Sequence, residues 1–524
     1  MALDGRSVLL LALLFASAIS TILPSPATGS PAQAPAIQPA DPGRFLDTIK
    51  ILTEPAMQGR GDGTRGLTRA AYFVQRRYKE LGLAPGGRND YFQPFRVVTG
   101  AKLVGRNSLQ EQIDGKRKSL ALNKDFIPFS FSSSGKTNAA AAFVGYGISA
   151  PEFGYDDYSG IDVRGKVVVL LRFEPLGFAR LSGYPEMTMH ADILTKAMNA
   201  KNHGASAVIL LNGVLGDGEE DSLAPFESSG GPANIGIEVL QVENKVAEAW
   251  FRAAGKSLEE TENQFDATSK PASFPFPESL RLVIRVGVRP TRATLNNVLA
   301  YLPGQTPEYI VVGAHYDHLG YGPQGSHAPA ATREIYPGAD DNASGTAGLL
   351  ELARMFAPLQ GRLRRGILFA SFAGEEIGAL GSADWVDKPT RPLPQAIAMI
   401  NMDMIGRIQD GKIYVGGVGT GSTFQTILAG QRGDSVLQLE DSAEDYAASD
   451  QASFAARRIP ALFFSSGLNP DYHKPTDTWD KINSTDAAHF LDLLAALILR
   501  LNDAPARPTF AAAPDLDPAA TNAQ

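Results

Sequence analysis

In the C-terminal half of the chain, apolar runs alternate with helical patterns, and acidic or imidazole side chains stand just beyond the runs. NVLAYL (297–302), YIVVGAH (309–315), GILFASF (366–372), AIAMINM (396–402) and PALFF (460–464) read as strands buried on both faces. Helical spacing falls between them, most clearly over 343–357. The alternation specifies an α/β sheet covered on both sides. In open sheets of that class, ligands bind outside the carboxyl ends of the strands. YIVVGAH ends in His315, with Asp317 two residues on, and GILFASF leads to Glu375 and Glu376. AIAMINM is followed by Asp403, and PALFF leads to a loop with Tyr472 and His473. Asp340, Asp341 and Asn342 precede the helix at 343–357. These side chains are expected to meet in one crevice.

Each signal has a simpler reading. His315–Asp317 fits a surface triplet, Asp340–Asn342 fits a helix cap, and Glu375–Glu376 fits a solvated pair. Asp403, however, lies in the apolar NMDMIG, where an unpaired carboxylate is costly to bury and a cation would remove that cost. The simpler readings leave the co-occurrence at strand ends unexplained. The chain has no cysteine, which excludes disulfides, thiolate catalysis, Cys-ligated zinc and iron–sulfur clusters. Any metal must therefore sit on His, Asp and Glu. Zinc accepts imidazole and carboxylate in open sites. Two zincs about 3.5–4 Å apart need a carboxylate and a water between them. A further carboxylate can then act as general base. The sequence supplies enough residues of each type.

The length of 524 residues implies two or three domains. A net charge of −8 disfavours nucleic acid and anionic membranes as partners. Arg6 and the apolar run Val8–Leu23, with small-residue patterns at Ala16-Ser17-Ala18 within the run and Ala32-Gln33-Ala34 beyond it, read as an export signal. The run is short against the ~20 residues of a membrane span. A secreted or periplasmic protein is expected, with no stable membrane insertion after cleavage. The expected division is a signal peptide at 1–34, a Pro/Ala-rich linker at 35–43, an N-terminal part of the main domain at 44–134 and an inserted unit at 135–275. The main domain continues over 276–505, and a disordered tail follows at 506–524. A helix is expected from about Thr68, ended by Gly82. Within the inserted unit, GKVVVLLRF (165–173) and ASAVILLNG (205–213) read as strands joined by a helix in ADILTKAMNAKNHG.

The segments G-A-H-Y-D, G-A-D-D-N-A-S-G, G-E-E-I-G, N-M-D-M-I-G and Y-H-K-P-T-D-T together resemble the M28 family of co-catalytic zinc peptidases, over about 291–500. GRGDGTRG resembles that family's leading segment, and the middle unit resembles a protease-associated (PA) domain. The resemblance implies a mixed, mostly parallel sheet sandwiched by helices, with a β-rich PA insert. It implies two zinc ions per chain, with His315 and Asp403 on one, Glu376 and His473 on the other, and Asp341 bridging. Glu375 would be the general base on a zinc-bridging water. Asp317 would fix the tautomer of His315, and Tyr472 would help to stabilise the oxyanion. The Asp341–Asn342 peptide would be cis. Gln451 departs from the family, standing where many relatives have His after Ser449-Asp450. The implied activity is removal of N-terminal residues from peptide substrates. Alternatives are a dizinc carboxypeptidase or dipeptidase using Arg333 or Arg407, a non-catalytic binding protein, and a one-zinc glutaminyl-cyclase-like acyltransferase. His318, adjacent to the motif, is expected either to stand behind the ligands or to lie at the surface, and His327 in a loop bordering the site. His190, His203 and His489 read as structural. Oligomeric state is not legible.

Overall fold

The computed structural model describes residues 37–511 apart from 176–177, 179–187, 214–220, 225, 227–233, 269, 323–333, 430–435 and 442–448. The segment read as an export signal, the loop with His327 and Arg333, and residues 512–524 lie outside the described residues. Among the described residues, no helix is long and apolar enough to cross a membrane.

The first helix, Pro42–Thr53, starts where Asp41 accepts the N–H of Arg44 at 2.8 Å and a proline occupies the first turn. It buries Phe45, Ile49 and Leu52, one side of a 3.6-residue period. The next helix, Arg65–Glu80, begins three residues before the expected start because Thr64 supplies the cap, accepting from Leu67 at 3.2 Å. Both helices pack into the core of the sheet built from the C-terminal strands.

That sheet is mixed with a parallel centre, as expected. Tyr309–His315 pairs in parallel with Gly366–Phe372 on one side and Ala396–Met402 on the other. Ala461–Ser465 runs parallel to Ala396–Met402. The antiparallel pairs are Val288–Leu302 with Gly366–Phe372, and Lys412–Gly416 with Ala461–Ser465. Every residue of the four central parallel strands is buried. Alternate residues divide between two cores: Ile310, Val312 and Ala314 meet the helices Gly345–Phe356 and Ser484–Asp503, while Tyr309 and Val311 meet Trp385 and Phe454. In register, His315 lies opposite Phe372 and Gly313 opposite Asn401, so neighbouring strands end side by side.

A second sheet is built around Val167–Leu171 and Ala207–Leu211, which pair in parallel through the helix Ile193–Asn202. It also includes Ser108–Ile113, Lys116–Leu120, Phe126–Pro128 and Arg281–Val286, and so reaches beyond 135–275 on both sides. Arg281–Val286 joins because its partners, Gly135–Phe143 and Ser108–Ile113, flank it with continuous ladders. The two sheets are connected by a long antiparallel ribbon, Phe92–Leu103 with Val288–Leu302. At the far end of the chain, the tail expected from 506 is tied down as far as Ala511. Thr509 donates to Ser422 Oγ, Ala511 donates to Thr420, and Phe510 bridges to Gly421.

Candidate metal centre

The strand ends deliver the crevice. His315 is the last residue of its strand, and its carbonyl accepts the hydroxyl of Thr346 at 2.8 Å. Asp340, Asp341 and Asn342 divide their tasks. Asp340 Oδ1 accepts from Gly406 N at 2.7 Å and its Oδ2 accepts from Asn469 at 3.0 Å. Asn342 caps the helix, accepting from Gly345 N at 2.8 Å, and donates to Met402 O at 3.0 Å. Asp341 is left to face the imidazoles, and the peptide that follows it is cis.

Asp341 Oδ1 lies 3.4 Å from His315 Nε2 and its Oδ2 lies 3.1 Å from His473 Nε2. His315 Nε2 is also 3.3 Å from Asp403 Oδ1 and 3.8 Å from Glu375 Oε2. His473 Nε2 is 3.2 Å from Glu376 Oε2. Two overlapping donor groups result: His315, Glu375 and Asp403, and His315, Asp341 and Glu376, each with its ligand atoms within 4.8 Å of one another. Glu375 belongs to the first of these groups, though at 3.8 Å from His315 Nε2 it lies further out than Asp403 at 3.3 Å. Tyr472 stacks on the ring of His473 with centroids 3.8 Å apart.

Burial and charge oppose each other here. Burial pulls His473 down, but the hydrogen bonds with Asp341 and Glu376 outweigh it and push it up to about 10. Burial likewise lowers His315, yet Asp403 and Glu375 hold it well above its ordinary value. Glu376 is raised by burial but held far below the carboxylate range by His318 and His473. Glu375 is pushed well up, chiefly by burial. Imidazoles and carboxylates crowded out of water in this way form a donor set that suits cations preferring nitrogen and oxygen ligands, zinc among them.

Asp317 is fully buried. The Nδ1 of His315 is 3.7 Å from its carboxylate and 3.3 Å from its backbone carbonyl. The carboxylate accepts the N–H of Glu376 at 3.2 Å, so it anchors the loop after Gly366–Phe372. Gln451 accepts from Asn401 at 2.9 Å, and the same amide donates to Ser449 Oγ at 3.0 Å. Both oxygens of the buried Asp450 lack a hydrogen-bond partner among the described residues. Arg407 is paired with Asp471 at 3.1 Å. His203 stacks on Tyr158, and His489 is half exposed on the last helix.

Two supporting residues, Asp477 and Arg60, were not singled out from the sequence, whereas His318 was. Asp477 accepts the N–H groups of Asp340 and Asp341. Arg60, fully buried, donates to the carbonyls of Leu52, Tyr316, Pro337 and Gly338 at 2.7–2.9 Å. His318 is buried against Glu376. Asp477 and Arg60 stand inside the quoted Y-H-K-P-T-D-T and GRGDGTRG segments, and that was the available signal.

The cluster opens into a cavity of about 270 Å³ whose apolar wall includes Met404, Phe463 and Leu468. Residues 297–498 match peptidase family M28, and residues 131–250 match the PA domain. A probable leucine aminopeptidase of Arthroderma benhamiae is 29% identical over 39% of this chain. The chain spans just over half of that relative's length, 57%. The aminopeptidase YwaD of Bacillus subtilis is 24% identical over 67% of each chain. Among solved structures, an aminopeptidase from Aneurinibacillus sp. strain AM-1 superposes with a TM-score of 0.56 at 22% identity, covering 91% of this chain and 96% of that one. The zinc aminopeptidase BSAP of Bacillus subtilis gives 0.53 at 21%, covering 91% and 99%. These two share the fold.

Proposed function

We propose that this chain, a peptidase of family M28 at residues 297–498 with a PA domain inserted at 131–250, removes N-terminal residues from peptides with a pair of zinc ions. The observation that carries the reading is Asp341, which presents one oxygen to each of two imidazoles. His315 and Asp403 would hold one ion, Glu376 and His473 the other, and Asp341 both. When bound, a zinc pair polarises a scissile carbonyl and acidifies the attacking water. Glu375 takes the proton from that water and returns it to the leaving amine nitrogen. Tyr472, held by its stack on His473, would help to stabilise the oxygen that gains charge. Met404, Phe463 and Leu468 favour an uncharged, apolar N-terminal side chain.

Export to the periplasm or medium belongs to the same proposal. The ion pair between Arg407 and Asp471 counts against the carboxypeptidase alternative, because that guanidinium is already neutralised. The test compares a leucyl substrate with its N-blocked form, with zinc content measured before and after chelation. Cleavage of the free-amine form alone, lost on chelation and restored by zinc, is expected. Equal cleavage of the blocked form would overturn the aminopeptidase reading.

A further inference from the structure

His318 follows Asp317 directly and is almost fully buried. Its backbone N–H donates to Arg60 O at 3.2 Å. Its ring lies against Gly338, where a Cβ would meet a ring carbon at 2.4 Å, so the close approach requires glycine. Its Nδ1 is 2.6 Å from Glu376 Oε1. Because Glu376 is a carboxylate, the ring proton sits on Nδ1 and donates. The other oxygen of the same carboxylate, Oε2, faces His473 at 3.2 Å. The two oxygens of Glu376 are therefore divided between the imidazoles of His318 and His473. Nε2 of His318 has no hydrogen-bond partner among the described residues. A histidine buried only to fill space would be expected to satisfy both nitrogens or be replaced by an apolar side chain. Here the ring's strong polar contact is to Glu376.

We propose that His318 is a positioning residue for Glu376: by occupying Oε1 it leaves Oε2 alone to face the ion shared with His473. This rests on the dizinc reading of the site. A hydrogen-bonded partner behind a ligand typically changes metal affinity about 10–100-fold. The side chain of asparagine places its amide nitrogen where Nδ1 of histidine lies, whereas glutamine places it near Nε2. His318→Asn keeps a donor toward Oε1, and His318→Gln and His318→Ala remove it.

The experiment equilibrates the zinc-loaded full chain with graded nitrilotriacetate and measures zinc per chain by mass spectrometry. Melting of each metal-free variant is recorded alongside. Wild type and His318→Asn are expected to give up their weaker ion at similar chelator concentrations. His318→Gln and His318→Ala are expected to release it at about 10–100-fold lower concentration, with metal-free melting close to wild type for the glutamine variant. Should the alanine variant not fold, the asparagine and glutamine pair carries the test. Wild-type retention in the glutamine variant, or equal loss in the asparagine variant, would overturn the assignment. A wild-type protein that binds no zinc would instead sink the dizinc reading itself.

Discussion

Asp477 Oδ2 accepts the backbone N–H of Asp341 at 3.1 Å, and both oxygens of Asp477 lie within 3.1 Å of the preceding N–H, that of Asp340. The residue that holds the bridging carboxylate in place thus comes from the loop that also delivers His473. One loop supplies an imidazole and fixes the backbone of the carboxylate which that imidazole faces. Asp477→Ala leaves two buried N–H groups without a protein acceptor. An unsatisfied buried group costs about 1–3 kcal/mol, so the variant should melt lower and hold less zinc. Asp477→Asn keeps one acceptor oxygen and should fall between. Calorimetry and metal analysis of the two variants check this, and unchanged zinc content in the alanine variant would contradict it.

Glu375→Gln removes a proton acceptor while preserving shape. If Glu375 is the base, the variant should keep its zinc and lose about 10²–10⁴-fold in kcat, the usual share of general acid–base catalysis. If it is a ligand, as its closeness to His315 allows, zinc content should drop with activity. Stoichiometry and turnover on the same preparation separate the two.

In the metal-free protein, His473 makes stability depend on pH. Burial lowers its value, but Asp341 and Glu376 raise it to about 10. A folded value above the ordinary 6.5 means that the imidazolium stabilises the fold fully below pH 6.5, and that this contribution is lost as pH rises through about 10. Zinc needs the neutral ring and competes with that proton. Across this window, chelated protein should melt progressively lower, and zinc uptake should release protons. The difference in melting temperature between loaded and chelated protein should widen with rising pH, and a narrowing difference would refute the argument.

Arg60→Ala deletes a guanidinium that donates to four backbone carbonyls. Each hydrogen bond from a charged donor contributes about 1.5–3 kcal/mol, though losses within one network are not additive. A loss of about 3 kcal/mol or more is expected in urea unfolding. Arg60→Lys should recover only part, because an ammonium lacks the planar fork. Since Pro337 and Gly338 lead into Asp341, zinc retention should weaken in parallel.

The strand exits were legible because periodicity marks a buried strand and its end in the same stretch of sequence. YIVVGAH, GILFASF and AIAMINM form strands over the residues expected, and PALFF is displaced by one residue, to Ala461–Ser465. The supporting residues were harder to read. Asp477, Arg60 and His318 act from irregular segments, and Asp477 and Arg60 bind backbone groups, which carry no residue type for a sequence to display. The ribbon was missed for a related reason. Phe92–Leu103 contains Pro94 and Gly100, which interrupt the alternation, and it is held by its long partner strand rather than by its own pattern.

Leu103 pairs with Val288 at the far end of that ribbon, so the chain leaves the first sheet and returns to it on adjacent strands. The points of departure and return are neighbours. Excising 104–287 and closing the gap with a short turn would preserve the backbone path of the metal-bearing half. The same adjacency means that whatever pulls on the excised portion is felt along two hydrogen-bonded strands at once. Force applied there would arrive as shear on a ladder, not as the swing of a tether.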